Sequence, residues 1–88
     1  MPLLSMFYGI IIRMNWKDDG KHKLPHIHAE YAGKEAVFTL DGEIIEGDFP
    51  ATQKAYVKAW TLIHADELQA DWKLAVNGEQ IFKISPLV

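Results

Sequence analysis

Three short segments of alternating polarity, separated by two turn dipeptides, constrain the fold of this chain most. His26–Tyr31 alternates, Ala32-Gly33 follows, Lys34–Leu40 alternates again, Asp41-Gly42 follows, and Glu43–Asp48 completes the run. Period-two alternation marks a strand with two unlike faces. An Asp-Gly pair between such segments is a strong hairpin signal, because a type I′ turn needs positive φ at both central residues. The run predicts an antiparallel meander. If both loops hold two residues, pairing follows by arithmetic. Ile27 then lies opposite Phe38, and Phe38 opposite Ile45, as an apolar row. The other face carries the rows His28–Val37–Glu46, Glu30–Glu35–Asp48 and His26–Thr39–Ile44.

The flanks complete an α+β plan. Phe7–Trp16 is rich in Ile and aromatics on both parities, which predicts one strand buried on both faces. Lys17–Pro25 is polar and reads as a loop. Pro50 suits the first position of a helix. Thr52, Ala55, Tyr56, Ala59, Trp60 and Ile63 then form an amphipathic stripe. A second stripe runs Leu68, Trp72, Ala75, Val76, slightly out of phase with the first. This places a break near His64–Ala65, with Asp66 and Glu67 suiting the positive end of a second helix. A single long helix stays open. Asn77-Gly78 reads as a C-cap, and Gln80–Ser85 as a last short strand. The expectation is a small, mostly antiparallel sheet with one or two helices packed on one face.

Composition sets the outer limits. The 88 residues make a single domain, 1–88, and the absence of cysteine excludes disulfides, thiolate zinc sites and thiol catalysis. It also points to a reducing, cytoplasmic home. Met6–Ile12 is apolar but too short to span a bilayer and lacks the basic lead of a signal peptide. The net charge of −3 speaks against a dedicated nucleic-acid binder. That charge is unevenly placed. Arg13, Lys17, Lys21 and Lys23, with His22, His26 and His28, precede an acidic stretch holding Glu30, Glu35, Asp41, Glu43, Glu46 and Asp48. Such bipolarity suits docking to a partner.

The alternation puts His26, His28 and Glu30 on one strand face. Two histidines and a carboxylate so spaced suit a divalent metal such as zinc, or acid–base work near neutral pH. On an open sheet, polar side chains facing water are the ordinary alternative. Cleavage of RNA by His26 and His28, aided by His22, would need a cation near the phosphate, with Arg13, Lys21 and Lys23 as candidates. The acids on the same face oppose that chemistry. Glu30, Glu35 and Asp48 side by side repel by about 0.2–1 kcal/mol per directly opposed pair, a cost that a cation, a basic partner or plain solvent around splayed side chains would relieve. His64 reads as a helix-end histidine. Trp16, Trp60 and Trp72 read as core, since no basic residues interleave with them.

Several segments together resemble a small bacterial family, the one catalogued as domain of unknown function 4160. They are SMFYGIIIRM near the start, PHIHAEY over Pro25–Tyr31, the EGDFP entry into the helix, and the spacing of Trp60, His64, Glu67, Leu68 and Trp72. The closing KISPL also resembles it. One departure is plain: the loop Lys17–Leu24 is longer than usual, and Leu24 stands where the family has a proline. The resemblance implies a cytosolic prokaryotic protein. It also implies a neighbouring gene for a second small protein, in pairs that resemble toxin–antitoxin modules. Only His26 and His28 fall on the signature, and no catalytic role carries over.

These observations lead to one half of a toxin–antitoxin-like pair, acting through a small protein partner. The toxin side is slightly favoured for its compactness and want of a DNA-binding arm. The alternatives are a histidine-based ribonuclease or metal-dependent hydrolase, and a small transcriptional regulator. RNA and a homodimer stay open as partners; DNA is disfavoured, because residues 65–77 are acidic where a recognition helix is basic.

Overall fold

The computed structural model describes residues 2–15 and 24–87. Its strands are β1 (Leu3–Phe7), β2 (Ile10–Arg13), β3 (His26–Tyr31), β4 (Lys34–Thr39) and β5 (Ile44–Gly47), followed by α1 (Ala51–Ile63) and α2 (Ala65–Val76). The five strands form one antiparallel sheet in chain order. The α+β plan is therefore the one the sequence predicts, with two helices.

The β3–β4 hairpin follows the predicted arithmetic residue for residue, from His26 opposite Thr39 to Tyr31 opposite Lys34. Ala32 and Gly33 both sit at positive φ, as a type I′ turn requires. Two other expectations are corrected. The single strand expected over Phe7–Trp16 is instead split: Phe7 ends β1, Tyr8-Gly9 turns with both residues at positive φ, and β2 covers Ile10–Arg13, while Trp16 lies outside the described residues. A tyrosine in that conformation hides the turn from a reader of the sequence, since non-glycine residues seldom adopt it.

The Asp41-Gly42 loop also differs. Thr39 accepts from the Gly42 N–H at 3.0 Å and donates its own N–H to Glu43 at 2.8 Å, so Leu40, Asp41 and Gly42 form a three-residue loop. Only Gly42 is at positive φ there, the arrangement of a turn followed by a glycine bulge. Phe38 consequently faces Ile44, not Ile45. A register shift at Ile45 then restores the expected pairs Val37–Glu46 and Ala36–Gly47. Gly42 is also required sterically: a Cβ would lie 2.8 Å from the Cα of Lys58.

Residues paired directly across the ladder share a face. Ile12, Ala29 and Ala36 form one such row, and Ile27, Phe38 and Ile44 the next. This face merges with Val57, Trp60 and Leu68 of the helices into a single core. Phe7 meets Trp60 at a ring separation of 5.6 Å, and Phe38 meets Phe49 at 5.6 Å. Burying a Leu, Ile or Phe in such a core contributes about 1.5–3 kcal/mol.

The buried side of α1 runs through Val57, Trp60 and Thr61, while Thr52, Ala55 and Ile63 of the predicted stripe are exposed. Pro50 stands one position earlier than predicted, as the residue before the helix. The helix break falls at His64, as predicted. After α2, Gly78 at φ +74° carries a helix-ending pair of bonds, Gly78 N–H to Ala75 O and Glu79 N–H to Leu74 O. Gln80–Ser85 is not a strand. It runs along the sheet with one backbone bond to it, Ile84 N–H to Leu4 O at 2.9 Å.

Candidate functional site

The second face of the sheet carries the sequence-predicted site. Arg13, His28, Val37 and Glu46 lie in one row across β2, β3, β4 and β5, and Ile11, Glu30 and Glu35 in the next. The paired ladder makes Glu30 and Glu35 direct neighbours. Arg13 Nε lies 3.9 Å from Glu30 Oε1, and His28 Nδ1 lies 3.6 Å from Glu35 Oε1. Each acid of the opposed pair thus has a basic group beside it. Glu35 and Glu46 remain exposed. Lys21, His22 and Lys23 lie outside the described residues.

The histidines are placed differently from the expectation of an open polar face. His26 is fully buried and His28 is 8% exposed. Their rings sit 5.3 Å apart, and the ring of Trp72 from α2 lies 5.2 Å from that of His26. His26 Nδ1 is 2.7 Å from the carbonyl of Leu24, a geometry in which the imidazole N–H donates to the carbonyl. The alternation therefore still sets the face, but at His26 and His28 that face is covered. The physical reason is long-range: Trp72 arrives from a helix far along the chain.

As a metal site, the set divides. Among the described residues, no group of three or more histidine or carboxylate side chains is placed to hold a metal ion. His26 and His28 approach each other inside the fold, whereas Glu30 turns toward Arg13 at the surface.

Beside the acids a cleft of about 420 Å³ opens between the Tyr8-Gly9 and Ala32-Gly33 turns. Ile11 and Tyr31 wall it, and Glu30, Lys34 and Glu35 rim it. Its chemistry suits a side chain with an apolar stem and a positive end.

Two further polar positions stand out: His64, expected at a helix end, and Asp71, which the sequence reading does not single out. His64 Nδ1 lies 2.6 Å from Glu67 Oε1, and its ring packs 5.6 Å from Trp60. This joins most of the Trp60–Trp72 pattern into one structural corner: Trp60 and Leu68 are buried, His64 and Glu67 clasp the helix junction, and Trp72 covers His26. The second position is Asp71, which is 3% exposed. Its Oδ1 accepts the Phe82 backbone N–H at 3.0 Å, while Oδ2 is buried with no hydrogen-bond partner. Burial pushes this carboxyl above the usual carboxylate range, the Phe82 bond pulls it back, and nearby Glu67 raises it further. A signal existed: Asp71 stands three residues after Leu68 and four before Ala75, on the buried stripe.

A family model described as Domain of unknown function (DUF4160) matches residues 9–73, which is most of the chain. No curated protein and no solved structure matches it. No helix among the described residues is long and apolar enough to cross a membrane.

Proposed function

We propose, from the premise that this chain belongs to the DUF4160 family, that it works by binding a small basic protein, as the toxin-side half of a toxin–antitoxin-like pair. The carrying observation is the acidic row of the outer sheet face. Glu30 and Glu35 are held directly opposite each other by the β3–β4 register, at a cost of about 0.2–1 kcal/mol relative to a neutral pair. Arg13 offsets part of that repulsion from 3.9 Å, and the His28 imidazole lies 3.6 Å from Glu35. A lysine or arginine from a partner would offset the remainder, with the cleft beside Ile11 and Tyr31 receiving its stem.

The burial of His26 and His28 favours this reading over catalysis by the same residues. An imidazole that moves a substrate proton must come within hydrogen-bond reach of it, and His26 presents no surface. The ring contacts of His26 with His28 and with Trp72 suit a role in joining α2 to β3.

The test is co-expression with the product of the adjacent gene. The native chain should capture that product, and expression of the chain alone should slow growth. The double variant Glu30→Lys, Glu35→Lys should lose capture while remaining folded. Failure of the native chain to capture the neighbour, or capture unchanged by the double variant, would overturn the reading.

A further inference from the structure

The last described segment, residues 80–87, is held by few and separate bonds. Ile84 N–H reaches Leu4 O at 2.9 Å, Trp60 Nε1–H reaches Ser85 O at 2.8 Å, and Phe82 N–H reaches Asp71 Oδ1 at 3.0 Å. Ile84 is the one fully buried side chain of this segment, Ile81 and Leu87 are partly buried against the core, and Phe82 is 72% exposed. The segment makes no ladder with β1. At its start, Gly78 ends α2 with positive φ and open space around it. Isolated hydrogen bonds in place of a ladder, and a single fully buried side chain, belong to a region of lower local stability than the sheet.

We propose that residues 80–87 are a detachable strap over the β1 edge, hinged at Gly78 and latched by Asp71, which opens as a unit while the rest of the fold stays intact. This stands independently of the partner-binding reading above. The latch is by construction incomplete. Asp71 leaves water to hold one backbone N–H, and its second oxygen finds no partner in the closed form. A buried polar atom in that condition favours the open form, where water satisfies it. Opening uncovers the indole of Trp60 and frees the Leu4 carbonyl. The β1 edge then presents unpaired backbone groups, a template for an added strand.

Native-state amide exchange on the full chain, followed residue by residue by NMR, tests this. The Phe82 and Ile84 amides should exchange at least about tenfold faster than the ladder amides of β3 and β4. Asp71→Ala should speed those two amides by about tenfold more and leave the β3 and β4 amides unchanged. Asp71→Asn keeps an oxygen that accepts the Phe82 N–H without burying a charge, so its rates should be native or slower. Exchange of Phe82 and Ile84 at the β3 and β4 rate would overturn the proposal. So would an Asp71→Ala variant in which all these amides accelerate together. If Asp71→Ala does not fold, the native rates alone decide.

Discussion

The two edges of this sheet are protected by opposite means. β5, at one edge, is four residues long, broken in register at Ile45, and carries the exposed acid Glu46. Brevity, a bulge and a charge are the local devices that discourage strand addition. β1, at the other edge, shares a register break, at Leu4, but reads Leu-Leu-Ser-Met-Phe and has no charge at all. Its further protection comes from the chain itself, through Ile84 on the Leu4 carbonyl. A locally defended edge is permanent. An edge defended by a tertiary contact is only as closed as that contact.

The largest expected effect lies at the β5 side, where loop and helix leave no slack. Gly42→Ala places a Cβ 2.7 Å from Thr61 Oγ1 and 2.8 Å from Lys58 Cα, at φ +89°. Overpacking against backbone and a strained φ together should cost about 3 kcal/mol, read as a lowered urea midpoint. A loss below about 1 kcal/mol would show that the loop can move away from α1, and with it β5. At the β1 side, Ile84→Ala removes a side chain that is 4% exposed. In an inseparable core this change costs about 2–5 kcal/mol. Because the strap's contribution is capped by its own docking energy, the expected loss in global unfolding is lower, about 1–2 kcal/mol. A full core-like loss would place the strap inside the cooperative unit and erase the contrast between the edges.

The same contrast marks what could be read in advance. The β3–β4 register was legible because alternation and a two-residue turn leave one pairing that keeps Ile27 against Phe38. The β1–β2 hairpin was not, because Tyr8 takes a backbone conformation that propensity assigns to Gly or Asn. At β5 the glycine signal was correct, but loop length depends on which residues flank it, and one extra residue moved Ile44 into the place of Ile45. For the candidate site, alternation placed His26, His28, Glu30 and Glu35 on one face. It could not tell whether that face meets water, because the cover over His26 includes Trp72 from α2. The bond from Phe82 to Asp71 is a tertiary fact of the same kind, although the place of Asp71 on the buried stripe was legible.

A third expectation concerns the latch itself and has a definite sign. Burial raises the Asp71 carboxyl above its ordinary value, so between about pH 4 and that raised value the native state binds more protons than the unfolded one. Stability from this group is present at low pH and lost as pH rises through the window. Asp71→Asn has no such charge and keeps an acceptor for Phe82. Its urea stability should exceed the native chain's at pH 7, and the difference should vanish toward pH 4. A native chain more stable than the Asn variant at neutral pH would mean that the charged bond to Phe82 outweighs the burial of the carboxylate.

The smallest effect is expected where the β5 side has its own clasp. Lys58 Nζ lies 2.8 Å from Glu43 Oε1, joining α1 to the residue before β5. The mutual bond and charge hold Glu43 below and Lys58 above their ordinary ranges. The pair therefore contributes from above the ordinary Glu value to below the ordinary Lys value, and is lost outside that window at either end. Both side chains are well exposed, so water and salt screen the attraction. Lys58→Met should barely move the urea midpoint at pH 7, and the small difference should shrink as salt is raised. A substantial, salt-insensitive loss would show that the Lys58 stem, packed beside Gly42, matters more than its charge. The β5 edge would then be held by contact with α1, as β1 is held by its strap.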